Sequence, residues 1–269
     1  MTTSSPSSRA DALVIGEALV DVVDGVAHPG GSPANVAVAL GRQGVAVTLA
    51  TQLADDAEGR IVRDHLAASN VDLVIAPARR TSRATAVVGP DGAASYDFDV
   101  SWDPTFPELP DARIVHVGSF SALDVELPEA TLSYDVNVRP ALLPDDSRRH
   151  VERIVERATI VKASDEDLVW LYPDRPPEDS ARALLALGPQ VVWLTRGAEG
   201  AVGFTTDGAV AIPPRPVHVV DTIGAGDTFS AGLILGWLRW VDDWERVGEL
   251  AARLSADACT RPGADPPWA

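Results

Sequence analysis

The stretch Asp221-Thr-Ile-Gly-Ala-Gly-Asp227 leads directly into the apolar run Phe229-Ser-Ala-Gly-Leu-Ile-Leu235. We interpret it as the turn between a strand that ends over Val217–Val220 and a long helix. Glycines at a helix start let backbone N–H groups converge on an anion, since no Cβ blocks the approach. The helix dipole adds about half a positive charge at the same end. The turn therefore predicts an anion site, and Asp227 beside it has the chemistry of a general base for phosphoryl transfer.

Two better-known glycine motifs do not match this turn. A dinucleotide-binding fingerprint would need a third glycine where Phe229 stands, and a P-loop would need Gly-Lys followed by Ser or Thr. On these residues alone, the alternative is a plain glycine-rich turn in which Asp227 stabilises the first turn of the helix.

The rest of the chain alternates short apolar runs with longer amphipathic ones. This alternation predicts an α/β layered fold around a mostly parallel sheet. We expect Ser32 and Pro33 to cap and open the first helix. The predicted strands are residues 12–15, 45–50, 71–75, 113–117, 131–135, 159–161 and 191–195, with a hairpin at 201–204 and 209–212. The predicted helices are residues 32–43, 58–68, 147–157, 165–171, 178–187, 227–240 and 244–259.

A second β-hairpin interrupts this alternation. Residues 84–88 and 93–98 flank the turn sequence Gly89-Pro-Asp-Gly92, and Leu19–Val26 is a candidate third strand beside them. Because a lone hairpin is marginal in water, we expect these pieces to form a small β-sheet lid over the main sheet. The lid would comprise about residues 17–30 and 82–101. Residues 1–10 are predicted to be a disordered tail, and residues 11–269 to be a single domain.

The balance of charge is strongly acidic, with 39 Asp and Glu against 22 Lys and Arg and a formal net charge of −17. Such a field repels nucleic acid and anionic membranes, so we expect neither as a partner. The chain has no run of about 18 apolar residues, the length that predicts a membrane-spanning helix. Its single cysteine, Cys259, cannot form an intrachain disulfide, which favours a reducing, cytoplasmic location, although a bacterial secreted protein can also lack disulfides.

Two segments resemble the signatures of one enzyme family. Residues 221–234 look like the C-terminal signature of the ribokinase-like (PfkB-type) carbohydrate kinases. Gly30-Gly-Ser-Pro-Ala-Asn35 looks like the N-terminal signature, and the resemblance extends from about Leu13 to Pro267. It implies a ribokinase-like fold, which is a layered α/β/α domain with a mostly parallel sheet and a small β-sheet lid. It also implies an ATP-dependent kinase that acts on a small sugar.

The resemblance assigns a catalytic set and a sugar-binding set of residues. By it, Asp227 activates a sugar hydroxyl, and the amides of Gly224, Ala225 and Gly226 form the anion hole. The segment from Asp135 to Pro140 resembles the Asp-Pro-Asn-x-Arg-Pro element of fructokinase-like members, with Val136 in place of the usual Pro. The implied sugar contacts are Asp21, Gly31, Asn35, Phe98 of the lid and Arg139. The alternatives are ordinary polar positions for Asp21 and Asn35, a lid-core residue for Phe98 and a structural salt bridge for Arg139.

The nucleotide side is also assigned by resemblance. The implied contacts are Lys162, Ser164, Thr195, Gly197 and Gly200. Ser164 and Asp167 take the two positions of the family's Asn-x-x-Glu element, which handles Mg²⁺ usually through water, and the same pair is close to a helix capping box. In many members a monovalent cation such as K⁺ binds near the glycine turn and a C-terminal loop. That site would comprise Asp221, Ile223, Ala258, Arg261 and Gly263, with Pro267 where some members carry a serine ligand.

The connection between the strands that end at Val117 and begin at Thr131 is shorter than the usual crossover of the family, which carries a full helix. Pro128 breaks its central segment, so we predict a short or irregular link. Such a link should expose part of one sheet face, or another element or subunit should cover that face. Because the link follows the carboxyl end of a strand, where α/β folds bind ligands, it bears on the substrate pocket.

Fructose is the first predicted substrate, from Gly16-Glu-Ala-Leu-Val-Asp21, the Asp-x-Asn-x-Arg-Pro element and Ser164-Asp-Glu-Asp-Leu168. Kinases of 2-keto-3-deoxygluconate or ribose are close alternatives, and a nucleoside kinase is a more distant one. A catalytically weak sugar-binding relative and a nucleotide-binding oxidoreductase are alternatives from other classes. The intact Asp227 counts against the first and the missing third glycine against the second. Pairing of lids between two subunits, a family habit, implies a homodimer.

Overall fold

A nine-stranded sheet runs through the centre of the protein in the computed structural model, which describes residues 10–88, 94–144 and 147–269. Its strand order is β13-β12-β11-β10-β9-β8-β1-β4-β5, with parallel pairing from β11 to β5 and an antiparallel hairpin, β12–β13, at one edge. These strands are β1 (Ala10–Ile15), β4 (Val47–Leu53), β5 (Val71–Pro77), β8 (Ala112–Gly118), β9 (Thr131–Asp135), β10 (Ile160–Ser164), β11 (Val191–Thr195), β12 (Ala201–Thr205) and β13 (Gly208–Ile212).

Helices cover both faces of this sheet. Successive residues of a strand point to opposite faces, so Ala12 and Val14 pack into one core while Leu13 and Ile15 pack into the other. Helices α1, α2, α6 and α7 contribute to the first core, and α3, α4 and α5 to the second. The helices are α1 (Ser32–Arg42), α2 (Ala57–Ala68), α3 (Ser147–Val155), α4 (Asp165–Leu171), α5 (Pro177–Leu185), α6 (Ala225–Trp240) and α7 (Trp244–Ala258). The predicted α/β/α layering is confirmed.

A four-stranded sheet, ordered β3-β2-β6-β7, forms the lid. Its strands are β2 (Leu19–Val23), β3 (Val26–Gly30), β6 (Ser82–Val88) and β7 (Ala94–Asp99). The single strand predicted over Leu19–Val26 is wrong, because Asp24 and Gly25 have φ angles of 50° and 78° and turn the chain back into a hairpin. The predicted turn Gly89–Gly92 and residues 1–9 of the predicted tail lie outside the described residues, and Ala10 already belongs to β1.

The segment before the glycine turn differs from its prediction. Val217–Val220 is irregular and exposed rather than a strand, and it follows Pro213 and Pro214 at the edge of the sheet. Its backbone is tied elsewhere, since the amides of Val220 and Asp221 donate to Cys259 O at 2.8 and 3.3 Å. The apolar composition of Val217–Val220 therefore suggested a strand, but in the structure this segment is not paired with the sheet.

The crossover between β8 and β9 is short, as predicted. It contains one 3-10 turn, Phe120–Asp124, instead of a full helix. The segment after the lid covers it, because Trp102 Nε1 donates to Ser121 O at 3.0 Å. Phe106 and Leu109 pack against the same core as the turn. A segment of this chain thus packs against the short crossover.

Across the described parts of the chain, we find no helix that combines the length and the apolar character needed to cross a membrane.

Candidate active site

The start of α6 carries the glycine turn. Gly224 has a left-handed backbone with φ 74°, which glycine adopts at little cost, and it precedes the first helical residue, Ala225. The amide of Ala225 donates to Thr222 O at 3.2 Å, so it already closes the turn. The amides of Gly224 and Gly226 are then the candidate donors to an anion among the three predicted ones. Asp227 lies in the first turn of α6.

Two side chains from α1 hold the Asp227 carboxylate. Ser32 Oγ donates to Asp227 Oδ1 at 2.7 Å, and Asn35 Nδ2 donates to Asp227 Oδ2 at 2.8 Å. The expectation that Ser32 caps α1 is wrong, because Gly31, with φ 103°, occupies the cap position and Ser32 is the first helical residue. Each carboxylate oxygen keeps a lone pair, so the group is oriented and still able to accept a proton.

The lid brings a second acid to this place. A Cβ on Gly30 would collide with the Asp21 carboxylate, so the Asp21 side chain of β2 lies directly against the end of β3. Burial raises the pKa of Asp21, and the charge of Asp227 raises it further, while His28 and Arg139 oppose the rise. Asp227 and Arg139 therefore both lie near enough to act on the Asp21 carboxyl group.

Phe98, the remaining predicted sugar contact, is half-buried on β7 and pairs across the lid with Ala84.

A buried ion pair lies beneath the glycine turn. Lys162 Nζ donates to both carboxylate oxygens of Asp135, at 3.1 and 3.2 Å, and Ser230 Oγ donates to the same carboxylate at 2.8 Å. A Cβ on Gly226 would stand 3.1 Å from Lys162 Nζ, so the ammonium group borders the turn. Burial lowers the pKa of Lys162, but neighbouring carboxylates, first that of Asp135, outweigh it and raise the pKa overall. Lys162 thus places a positive charge beside the candidate anion hole.

A cavity of about 330 Å³ adjoins this ion pair. Its size falls within the range of about 300–1,000 Å³ that is usual for small-molecule pockets. Arg139 is exposed at its wall, with Nη1 donating to Val138 O at 2.9 Å, and no ion pair joins it to another described residue. The lining residues are Asn137, Val138, Arg139, Pro140, Lys162, Ser164, Glu166, Asp167 and Trp170.

Ser164 and Asp167 form the capping box at the start of α4, which confirms that interpretation of the pair. Ser164 Oγ accepts from the Asp167 amide at 3.1 Å, and Asp167 Oδ2 accepts from the Ser164 amide at 2.7 Å. Asp167 Oδ1 accepts from the Val138 amide at 2.7 Å, so the carboxylate also anchors the cavity wall.

The acids at this cavity fit a magnesium ion held through water. Glu166 and Asp167 both line it, and Mg²⁺ is usually bound by one or two carboxylates together with waters and substrate phosphates. Within residues 10–88, 94–144 and 147–269, no group of three or more His, Cys, Asp or Glu side chains could hold a metal ion by itself.

The other predicted nucleotide contacts continue from this cavity. Thr195 ends β11 directly beside Ser164 in the parallel register. Gly197 and Gly200 have φ angles of 50° and 88° in the turn that follows. A Cβ on Gly200 would collide with Ile212 O, so the turn lies close to β13 only because it is glycine.

The predicted cation site brings together the glycine turn and the loop after α7. Asp221 accepts from the Ile223 amide at 3.0 Å and from the Gly263 amide at 2.8 Å, so its carboxylate bridges the two segments directly. Ala258 O accepts from the Arg261 amide at 3.1 Å. Arg261 points its guanidinium towards Asp265, 3.9 Å away. The cation residues are therefore assembled, and several of their atoms already bond to one another.

Four residues of this site had no individual catalytic or binding role predicted from the sequence. Asn137 has a φ of 35°, and its Nδ2 is buried without a partner among the described residues. Ser32 is hydrogen-bonded to Asp227, and Asp135 forms an ion pair with Lys162. Glu17 is buried beside the start of α1. The signal that was available is the presence of polar residues inside otherwise apolar strands and at their ends.

The comparisons of this chain with known proteins agree on one family. The model of the pfkB family of carbohydrate kinases matches residues 8–269. A fructokinase from Rhizobium leguminosarum bv. trifolii is 36% identical over 256 residues, which cover 82% of this chain and 78% of that protein.

Two solved structures share both the fold and part of the sequence. A fructokinase double mutant from Vibrio cholerae O395, with bound fructose, ADP and potassium ion, has a TM-score of 0.80 at 26% identity and covers 96% of this chain and 95% of its own. Aminoimidazole riboside kinase from Salmonella enterica, complexed with aminoimidazole riboside and an ATP analog, has a TM-score of 0.78 at 26% identity, with 94% of each chain covered.

Proposed function

The chain belongs to the pfkB family of carbohydrate kinases, phosphotransferases with an alcohol group as acceptor, and we propose that it transfers the γ-phosphate of ATP to a primary hydroxyl of fructose. The observation that carries the proposal is the Asp227 carboxylate, fixed by Ser32 and Asn35 beside the glycine turn and Lys162. The Rhizobium relative and the Vibrio fructokinase support fructose over other sugars.

In this proposal Asp227 acts as the general base. It takes the proton of the sugar hydroxyl, whose oxygen then bonds to the γ-phosphorus as the bond to the β-phosphate oxygen breaks and ADP leaves. The amides of Gly224 and Gly226 and the charge of Lys162 stabilise the negative charge on the transferred group. A removed donor of this kind typically costs about 10²–10³ in rate.

Asp21, Gly31, Asn35, Phe98 and Arg139 would bind the sugar. The free amide oxygen and second N–H of Asn35 and the carboxylate of Asp21 suit neighbouring hydroxyl groups, which both donate and accept hydrogen bonds.

The nucleotide would occupy the cavity beside Lys162, Ser164, Thr195 and the turn of Gly197 and Gly200. Glu166 and Asp167 would hold Mg²⁺ through water, and the ion would neutralise phosphate charge. The potassium-bound relative supports a monovalent cation between Asp221 and Ile223 on one side and Ala258, Arg261 and Gly263 on the other.

The test is ADP release with ATP and a panel of fructose, ribose, 2-keto-3-deoxygluconate and a nucleoside. We expect the highest kcat/KM with fructose, and a loss of about 10²–10⁴ in kcat for Asp227→Asn, the usual contribution of a general base. Asp207→Asn, on the exposed turn of the β12–β13 hairpin, is the matched control. Turnover with the nucleoside alone would assign the chain to the type of the Salmonella relative, and no turnover with any sugar would leave a catalytically weak binding protein.

A further inference from the structure

Glu17 is a buried carboxyl group at the junction of three segments of the candidate site. Glu17 lies just after the end of β1 and is 4% exposed. Its side chain is hydrogen-bonded to the Ser121 hydroxyl of the short crossover. No ion pair within the described part of the chain includes Glu17. A buried carboxylate without a cation is costly, so its protonation state needs an explanation.

The hydrogen bonds around Ser121 favour a neutral Glu17. Ser121 Oγ accepts from the Glu17 amide at 3.2 Å and also lies 3.2 Å from Gly118 O. A hydroxyl has one hydrogen to donate. If Glu17 is ionised, Ser121 must give that hydrogen to the carboxylate, and Gly118 O loses the donor. If Glu17 is protonated, it donates to Ser121, which donates to Gly118 O, so both of these hydrogen bonds form at once.

The electrostatic surroundings point the same way. Burial raises the pKa of Glu17 to about 7, against the hydrogen bonds from Ser121, its own backbone and Ser119. Among the described residues, Asp227 on α6 is the ionisable group whose charge acts on Glu17, and its negative charge adds to the rise. The start of α1 and the crossover contribute glycine, proline and serine contacts, which carry no charge.

This carboxyl group is coupled to the catalytic carboxylate through close packing. A Cβ on Gly31 would stand 2.7 Å from Glu17 O, and a Cβ on Gly16 would collide with the Pro33 ring and stand 2.8 Å from Ser121 Oγ. The start of α1 therefore rests on the segment that Glu17 anchors. The same start of α1 presents Ser32 to Asp227.

We propose that Glu17 is a positioning residue, a neutral carboxylic acid that clamps the short crossover to the start of α1 and so holds Ser32 and Asn35 on Asp227. The inference rests on the proposed function of Asp227 as the base. Ionisation of Glu17 places a second negative charge at a buried position near Asp227 and takes the Ser121 hydrogen away from Gly118 O. The hydrogen-bonded link between Glu17 and the short crossover is therefore strongest below neutral pH and weakens above it.

The test compares the wild type with Glu17→Gln, Glu17→Ala and Ser121→Ala over pH 5.5–9, with separate kcat and KM. The amide introduced by Glu17→Gln can still donate to Ser121 and cannot ionise. We therefore expect kcat of this variant within about threefold of the wild type at pH 6 and a smaller fall above pH 7 than the wild type shows. We expect Glu17→Ala and Ser121→Ala to lose about tenfold or more in kcat, with KM for ATP little changed. Glu245→Gln, exposed on α7, is the matched control and should keep the wild-type profile.

A second readout does not depend on turnover. Because the pKa of Glu17 is higher in the folded than in the unfolded state, its contribution to stability is lost as pH rises from about 4.5 to 7. The melting temperature of Glu17→Gln minus that of the wild type should therefore increase over this range. A constant difference would overturn the neutral state, and a wild-type kcat in Glu17→Ala would overturn the positioning role. If the wild type turned over no sugar, the proposed function would fail while the melting experiment still decided the state of Glu17.

Discussion

Replacement of Asp135 by Asn should strongly destabilise the protein, because it leaves Lys162 buried without its counter-charge. The two side chains are 1% and 7% exposed, and the Asp135 carboxylate accepts from Lys162 and from Ser230. Burial raises the pKa of Asp135 to about 6, opposed by Lys162, so the carboxylate is still ionised at pH 7. Breaking one partner of a buried pair typically costs about 3–5 kcal/mol. We expect a loss of that size in the free energy of unfolding of Asp135→Asn.

A double-mutant cycle measured by urea denaturation at pH 7 checks this reasoning. Lys162→Met alone should cost a similar amount, and Asp135→Asn combined with Lys162→Met should cost less than the sum by about 2 kcal/mol or more, since the two residues share one interaction. The exposed pair Arg253 and Asp257, 3.6 Å apart, is the matched control, whose coupling should stay below about 1 kcal/mol. A cost below about 1 kcal/mol for Asp135→Asn, or additive costs in the cycle, would refute the argument.

Two further substitutions test the glycine turn and the cavity. Gly224→Ala should lower the free energy of unfolding by about 1–2 kcal/mol because the backbone there is left-handed. It should lower it further because Ala264, whose Cβ would be 2.8 Å from the new methyl group, must move. An unchanged denaturation midpoint would contradict this. Asn137→Gly keeps the positive φ and removes an unpaired amide nitrogen, so stability should stay within about 1 kcal/mol while KM for ATP rises. An unchanged KM for ATP would exclude Asn137 from nucleotide binding.

Most elements of the fold could be predicted because their hydrophobic patterns are local. The predicted strand at residues 131–135 and the predicted helix at residues 165–171 coincide with β9 and α4. The errors arose where a local pattern was ambiguous. Leu19–Val26 looked continuous because its apolar residues outweighed the Asp24-Gly25 turn, although Asp-Gly is a strong hairpin signal. Val217–Val220 has strand composition, but a strand requires a neighbour with which to pair.

Some parts of the candidate site could be predicted from the sequence more completely than others. The glycine turn and Asp227 could be located because backbone geometry and charge at a helix start follow from a few adjacent residues. The predicted cap at Ser32 was wrong because Gly31 already ends the extended backbone, which leaves the hydroxyl free to reach Asp227. Ser164 and Asp167 were correctly recognised as a capping box, since both partners lie within one helical turn.

The sequence by itself determined that this protein has an α/β layered fold with an anion-binding turn and an acid beside it, because those properties depend on residues close together in the chain. Only the tertiary structure decided how the acid is held. Ser32 and Asn35 are 195 and 192 residues from Asp227, and Ser121 is 104 residues from Glu17. Such contacts depend on strand register and on how the short crossover packs, and hydrogen bonds form only within a few tenths of an ångström of the right distance. The glycine turn therefore predicts phosphoryl transfer, and the packing around it decides how Asp227 is positioned for that reaction.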